Sequence, residues 1–486
     1  MSATTTTQSP SNGWSTSRII GLIIGAALLV MTILIPPPTG MSEAAWKAAG
    51  LMMLLAAWWA TEAIPIPATS LTPIVLIPAL GLGSVGQATA PYANPTIFLF
   101  MGGFVLGLAM QRWNLHKRIA LMTLLAVGTK PSHQIGGFMI ATAFLSMWVS
   151  NTATAIMMLP IGLSVVSMFE DDNPVAVRKY ATALLLAIAY AASLGGIGTI
   201  IGTPPNALLV AYLADNHDIH IGFGQWMLIG VPISVLMLVA VWLLLARKDF
   251  GLNAQNNSRE LLQKQLNDLG SMSRGEKRVG VVFLLTAAAW IFQPLISESL
   301  IPWLNDTIIA IASAIIMFLI PVDREKGNLM DWETASKMPW GVLLLFGGGL
   351  ALASVITSSG LAVWIAESMS IIGVMPALVV VLIIAAVIIF LTEITSNTAT
   401  AAAFLPLMGA LAMAQGVSPI LYAVPAAVAA SCAFMMPVAT PPNAIVFGTG
   451  HMKITDMITA GFKLNLAGVV IVGLVAYYLM FWVFGI

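Results

Sequence analysis

The sequence predicts an all-α polytopic membrane protein: eleven transmembrane helices plus two re-entrant hairpins in an inverted-topology repeat. Three observations predict it. Hydrophobic residues make up 59% of the 486 and charged residues 8%, about a third of the charge of a soluble domain. Apolar runs near the ~20 residues that cross a bilayer as helix recur from residue 18 to the end. Motifs in the first half return in the second at a nearly fixed offset. The mean hydropathy of +0.93 agrees.

Met1 to Ser17 is polar and rich in Ser and Thr, a disordered cytoplasmic N-terminus by composition. Residues 18–40 hold the first transmembrane helix, at about 19–35. Pro36, Pro37 and Pro38 close it without a small-residue cleavage site, so it is an uncleaved span rather than a signal peptide. Residues 41–246 form the first repeat, with spans at about 48–63, 66–83, 96–112, 178–213 and 224–246. A cytoplasmic linker occupies 247–278. Residues 279–486 form the second repeat, with spans at about 279–296, 304–320, 339–358, 418–449 and 461–483. Two further apolar stretches, about 134–168 and 376–413, are too short for two crossings and too long for one ordinary helix. Each carries Ser-Asn-Thr near its middle. A re-entrant hairpin explains both facts, since non-helical backbone at that depth is tolerated only against protein or a water-filled cavity.

Basic residues test this count independently. With the N-terminus inside, the linker places Arg247, Lys248, Arg259, Lys264, Arg274, Lys277 and Arg278 in the cytoplasm. Arg112, Lys117, Arg118, Lys130, Arg178, Lys179, Arg324, Lys326, Lys337, Lys453 and Lys463 fall there too. The outer loops at 84–95, 214–223, 297–303, 359–375 and 414–417 contain no Lys or Arg, and Lys47 alone breaks the positive-inside rule.

The repeat is visible in identical residues. Phe100-Met-Gly-Gly-Phe104 matches Phe346-Gly-Gly-Gly-Leu350. At the same offset of 246, Ser150-Asn151-Thr152-Ala-Thr-Ala155 matches Ser396-Asn397-Thr398-Ala-Thr-Ala401, and Pro160 matches Pro406. Thr203-Pro204-Pro205-Asn206-Ala207 matches Thr440-Pro441-Pro442-Asn443-Ala444 at 237, the longer connector at 169–177 absorbing the change. Five spans plus a hairpin is an odd number of crossings, so the second repeat is upside down. Inverted repeats with broken helices at matching positions point to a binding site near the midplane. Duplication kept only for packing is the alternative, and it would not favour polar tips.

Ser, Asn and Thr offer groups that accept and donate hydrogen bonds, suiting both a hard cation and a carboxylate. Ser146 lies one turn before Ser150, and Thr392 one turn before Ser396. These hydroxyl pairs look like cation coordination, the alternative being hydroxyls bonded back to their helix. The Thr-Pro-Pro-Asn segments break their helices, freeing carbonyls for a cation and leaving half-helix N-termini for an anion. No Lys or Arg occurs between Lys130 and Arg178, or between Lys337 and Lys453. A dianion there would be an unpaired buried charge, costing several kcal/mol, and a co-bound sodium removes that cost. Protons are the weaker alternative, because only Glu393 and Glu62 look membrane-buried. Glu393 has Met147 as its repeat counterpart, which favours a structural hydrogen bond, and Glu62 also reads as structural. Cys432 excludes a disulfide framework and reads as a packing residue. The five histidines show no metal-ligand spacing, and zero net charge leaves no nucleic-acid footprint. An intramembrane hydrolase would need a base or metal cluster beside Ser150 or Ser396, and none is visible. Closed polar tips and the inverted repeat argue against a passive channel.

The paired Ser-Asn-Thr motifs, the paired Thr-Pro-Pro-Asn segments and Trp58-Trp59-Ala-Thr-Glu62-Ala-Ile-Pro65 resemble the divalent anion:sodium symporters, over about residues 18 to 483. The resemblance implies a sodium-coupled C4-dicarboxylate importer (succinate, fumarate, malate) of the bacterial inner membrane, with the N-terminus cytoplasmic and the C-terminus periplasmic. Citrate, 2-oxoglutarate, sulfate or dicarboxylate exchange are the alternatives. It implies a homodimer whose protomers move hairpins and broken helices as an elevator against a scaffold. It places Ser150, Asn151, Thr152, Ser396, Asn397 and Thr398 on the substrate carboxylates, with Thr203, Thr440 and Pro441 nearby. One sodium falls to Ser146, Ser150, Asn151 and the Gly202 carbonyl. The other falls to Thr392, Thr395, Asn397 and the Ala439 carbonyl, with Thr395, opposite Val149 in the repeat, contributing through its backbone. Exchanger members are expected to carry basic groups at the sodium positions, and none stands there in this chain.

Overall fold

The computed structural model describes residues 15–128, 130–169, 172–247, 250–252, 257–323, 327–368 and 375–486. Most of the N-terminal tail, Lys248, Arg324, Lys326 and part of the 359–375 loop lie outside the described residues. The described chain is helical apart from a small antiparallel ribbon, Pro321–Asp323 with Gly327–Asn328. The first helix, Thr16–Leu34, is capped by the Ser15 hydroxyl and packs on Glu43–Thr61 through Gly21, Gly25, Leu29 and Thr32.

Among the described residues, seven helices are long and apolar enough to cross a bilayer. Arg274–Ile291 and Gln293–Ser299, bent by 71°, make an eighth if counted as one span. The expectation of eleven transmembrane helices is met in part, by an all-α chain with seven or eight candidate spans among the described residues, because several of the expected runs are divided or short. The 66–83 run is two short helices, Ile66–Thr69 and Thr72–Ala79, in a segment punctuated by Pro65, Pro67, Pro73 and Pro78. Asp306–Leu319 has 14 residues, about 21 Å at ~1.5 Å per residue and short of a ~30 Å hydrocarbon core. The 178–213 and 418–449 runs are each split, into Pro174–Gly196 with Pro204–His217 and Ile420–Ala430 with Pro441–Phe447. Apolarity persists through a proline break, whereas helix geometry does not.

The two polar-tipped stretches are helix pairs: Pro131–Ser146 with Asn151–Ser167, and Ala377–Leu391 with Asn397–Ala414. Packing sorts the main helices into two groups. Both pairs, both split helices, Phe223–Leu245 and Ile454–Phe484 form one. Pro95–Arg112, Arg274–Ile291 and Asp306–Leu319 form the other, while Trp340–Ser358 packs on both and Glu43–Thr61 packs on Trp340–Ser358 and Asn397–Ala414. The repeats interlock. Pro441–Phe447 packs on Asn151–Ser167 of the first repeat, and Pro204–His217 packs on Asn397–Ala414 of the second. Phe100 and Phe346, the matched aromatics of the glycine motifs, meet edge-to-face at 5.1 Å.

A helix that hydropathy did not mark, Leu115–Val127, joins Pro95–Arg112 to the first hairpin. His116, Lys117 and Arg118 in its first turn hide it from an apolar count. Arg118 is buried and pairs with Glu276 at the start of Arg274–Ile291, Nε to Oε1 at 2.7 Å.

Candidate functional site

A cavity of about 1210 Å³ brings together the motif residues of both repeats. Ser150, Asn151, Thr152, Thr203, Ser396, Asn397, Thr398, Thr440 and Pro441 all line it. Its wall also includes Arg18, Glu62 and Lys337, the first in the opening turn of the chain's first helix and the last just before Trp340–Ser358.

The local sequence explains the convergence. Ser150 is extended (φ −56, ψ 142) and caps Asn151–Ser167, its hydroxyl accepting from the Ala153 N–H at 3.3 Å. Ser396 is likewise extended (φ −67, ψ 134) ahead of Asn397–Ala414, but its side chain makes no cap bond. Thr203 and Thr440 are extended residues ahead of Pro204 and Pro441, which open the next helices. Proline suits that first position, because its fixed φ is already helical and its missing N–H had no partner to lose. Four helix N-termini thus face one cavity, each turning the positive end of its dipole to it, about half a charge; free N–H groups come from the helices that start at Asn151 and Asn397, since the other two open with paired prolines that have none. Among the described residues, the basic ones lining it are Arg18 and Lys337. Backbone dipoles therefore supply the positive potential where the motifs meet.

Behind each tip is a cluster of oxygens. Ser146 Oγ lies 2.7 Å from Asn151 Oδ1 and 2.6 Å from the Ala192 carbonyl. Thr392 Oγ1 lies 2.8 Å from Asn397 Oδ1 and 2.9 Å from the Ala430 carbonyl. A hydroxyl carries one proton, so it satisfies only one of its two neighbours. A cation among these oxygens removes the surplus of lone pairs. At Asn151 a turned amide also removes it: Nδ2 then donates to Ser146 Oγ at 2.7 Å, Ala192 O at 3.1 Å and Gly202 O at 3.3 Å. The turned amide is the satisfied arrangement without an ion, and an inward oxygen suits an ion. Ser146 and Thr392 are fully buried, while Gly202, Thr395 and Ala439 line the cavity.

The model of a family described as the sodium:sulfate symporter transmembrane region matches residues 16–485. The chain belongs to this family. The symporter is 44% identical over 484 residues to the sodium-dependent dicarboxylate transporter SdcS of Staphylococcus saprophyticus, covering 97% of this chain and 93% of that one. With a Staphylococcus aureus protein of the same name it shares 43% over 491 residues, at the same coverage. Among solved structures it is similar to the YdaH transporter of Alcanivorax borkumensis, described as having an unusual topology. The TM-score is 0.55 at 14% identity, over 96% of this chain and 99% of that one. That identity shows the fold alone. The family resemblance read from the motifs is borne out, and the family is one of transporters rather than enzymes.

In the symporter the two broken segments are tied by their asparagines. Asn206 Nδ2 donates to the carbonyls of Gly196, Ile197 and Thr199, and Asn443 Nδ2 to those of Ala433 and Met436. The Thr395 hydroxyl is committed elsewhere, to Leu391 O at 3.0 Å and Thr400 Oγ1 at 2.6 Å, which leaves only its backbone for an ion. Glu393 is buried and accepts hydrogen bonds from the N–H groups of Phe434, Met435 and Met436. Glu62, expected to be buried, follows the last turn of Glu43–Thr61 in a left-handed conformation (φ 47) and is exposed on the cavity wall. The carbonyls of Ala192 and Ala430 escaped sequence reading, since a backbone oxygen leaves no residue signature. Trp148 escaped it too. It is next to the first tip and lies against Phe283 at 5.1 Å and Phe223 at 6.0 Å.

Gly196 makes the first cluster possible. A Cβ there would stand 2.8 Å from Asn151 Oδ1 and 2.9 Å from Gly202 O. Gly196→Ala is expected to lower sodium-driven uptake by more than about tenfold, the equivalent of ~1.4 kcal/mol. Uptake by size-exclusion-homogeneous protein in proteoliposomes checks this, and wild-type sodium dependence would remove the oxygen cluster from the mechanism.

Proposed function

We propose that this symporter imports C4 dicarboxylates such as succinate, fumarate and malate, driven by sodium. The observation that carries the reading is the pairing of two oxygen clusters with one cavity walled by four helix N-termini. Carboxylates suit the N–H groups and hydroxyls of Ser150, Asn151, Thr152, Ser396, Asn397 and Thr398, with Thr203, Thr440 and Pro441 alongside. Sodium suits Ser146, Ser150, Asn151 and the Gly202 carbonyl on one side, and Thr392, Asn397 and the backbone of Thr395 and Ala439 on the other. Each Asn serves an ion and a carboxylate together, so cation and dianion stabilise each other's binding. The names of the staphylococcal relatives support the same cargo.

The finer architecture belongs to this reading. Eleven crossings and two re-entrant hairpins form an inverted repeat in the bacterial inner membrane, N-terminus cytoplasmic and C-terminus periplasmic, as the distribution of Lys and Arg supports. The hairpins and broken helices move as an elevator against the second helix group, in a homodimer. On that orientation the Arg18 and Lys337 end of the cavity faces the cytoplasm, an inward-facing state.

Succinate uptake into proteoliposomes is expected to require sodium, with a Hill coefficient above one. Equal uptake in sodium and choline would sink the reading. The family description names sulfate, so the same assay run with sulfate, citrate and 2-oxoglutarate as competitors decides the anion.

A further inference from the structure

Three hydrogen bonds tie the helix group that holds the hairpins to the helices around it, at the end away from Arg18 and Lys337. Asn94, which opens Pro95–Arg112, donates through Nδ2 to Asp215 Oδ2 at 2.6 Å. Thr357, in the last turn of Trp340–Ser358, donates through Oγ1 to Asn216 Oδ1 at 3.0 Å. Phe223, the first residue of Phe223–Leu245, donates its N–H to Asp306 Oδ2 at 2.8 Å. Asp215 and Asn216 stand in the last turn of Pro204–His217, the broken helix whose start faces the cavity. All six residues lie in, or within three positions of, the loops 84–95, 214–223, 297–303 and 359–375 that lack Lys and Arg.

Packing reinforces the third bond. The Phe223 ring is stacked on Trp290 of Arg274–Ile291 at 4.5 Å, with 10° between the planes, and both rings are buried. Asp306 Oδ1 is also buried and has no partner among the described residues. An acceptor left dry and unpaired costs free energy. Parting the groups lets water reach Oδ1, which offsets part of the loss of the bond to Phe223 and makes the contact breakable. The inverted repeat does not copy the charged pair. At the offsets of 246 and 237, Asn94 and Asp215 fall on Trp340 and Met452, which carry neither a carboxylate nor an amide side chain.

We propose that these three bonds form a latch on the outer face, which holds the empty symporter open to the cytoplasm and parts each time the hairpins carry the site outward. The strength of the latch sets how much of the protein presents an empty site to external substrate. No matching Asn–Asp pair closes the other face, so the balance favours the inward-open state. This rests on the elevator reading and the orientation above.

The test uses the full chain in native membranes, with Ala444→Cys as reporter. Ala444 is exposed on the cavity wall within Pro441–Phe447, and the native Cys432 is fully buried, so it stays unreactive. A membrane-impermeant maleimide is applied to the cytoplasmic face of inside-out vesicles, where the wild-type reporter is expected to label. Asn94 Oδ1 caps its helix by accepting the Thr96 N–H at 2.8 Å. Asn94→Asp keeps that cap and sets a second carboxylate against Asp215, so that like charges push the latch open. It is expected to slow labelling about twofold or more and to lower the KM for external succinate about threefold or more, because the outward-open fraction rises. The double exchange Asn94→Asp/Asp215→Asn restores an amide–carboxylate pair with the places reversed. Both readouts are then expected to return to within about twofold of the wild type, which general loosening of the fold would not produce. Thr357→Val, which removes one exposed hydroxyl, is expected to shift both readouts the same way by a smaller factor. A folded Asn94→Asp that labels at the wild-type rate overturns the latch, and so does a double exchange that leaves the single variant's effect in place. If Asn94→Asp fails to fold, Thr357→Val decides, and wild-type behaviour there overturns the latch. A wild-type reporter that labels only from the outer face, in right-side-out vesicles, sinks the orientation reading as well, which separates the two failures.

Discussion

Asn151→Ala and Asn397→Ala are each expected to abolish transport while leaving the protein folded. Each Asn is the first residue of its helix, and neither start is capped by the Asn side chain: Ser150 caps the first through its hydroxyl, and the second has no side-chain cap bond, so removing the Asn side chain spares the helix start. The loss falls on the cluster. Ser146 and Thr392 have no exposure to water, and the Asn amides are among their few polar neighbours at 2.7 and 2.8 Å. An unsatisfied buried group costs about 1–3 kcal/mol, more where a charge is involved. The expected loss of affinity is therefore about tenfold or more for each group left alone. Because the effect runs through sodium, higher external sodium should rescue Ser146→Ala better than Thr152→Ala. Succinate and sodium dependence measured on monodisperse mutants checks this. Near-normal transport by either Asn mutant would move the site elsewhere, and a loss of thermal stability that sodium does not rescue would make the role structural.

Arg118→Ala is expected to destabilise the protein by about 3–5 kcal/mol, the range for removing one partner of a buried ion pair. Arg118 reaches Glu276 through Nε at 2.7 Å and Nη2 at 3.4 Å, and the Glu276 side chain is 5% exposed. Glu276 also closes a capping box with Ser273, its Oε2 accepting the Ser273 N–H at 2.7 Å. Removing Arg118 leaves a carboxylate that is dry but still fixed by its cap, so relaxation into water is restricted. Arg118→Ala/Glu276→Ala is expected to recover part of the loss, since no charge then remains buried. Arg118→Lys should recover less than the native pair gives, because an ammonium lacks the planar fork. Unfolding midpoints of the purified variants decide the matter. A loss under about 1 kcal/mol would place the pair with exposed ion pairs, and the Leu115–Val127 helix would then be held by apolar packing alone.

The sequence by itself determined what rests on the order and identity of residues. Composition made this a membrane protein. A polar Ser-Asn-Thr inside an unbroken apolar run located both hairpin tips, because such a tip has no stable place facing lipid. The doubled Thr-Pro-Pro-Asn located both broken helices, and the motifs together identified the family. Only the tertiary structure decided what depends on direction and distance. The 66–83 run kept its apolar letters while its prolines divided the helix, and the charged first turn of Leu115–Val127 concealed a packed helix as a loop. The Thr395 hydroxyl turned to Thr400 rather than to the cluster. Ala192 and Ala430 entered the clusters through carbonyls that any residue could supply. Glu393 found its donors 41 to 72 residues away. Hydropathy and motif identity are local properties of a chain, whereas the partner of a buried polar group is fixed by where packing leaves an orphan donor or acceptor.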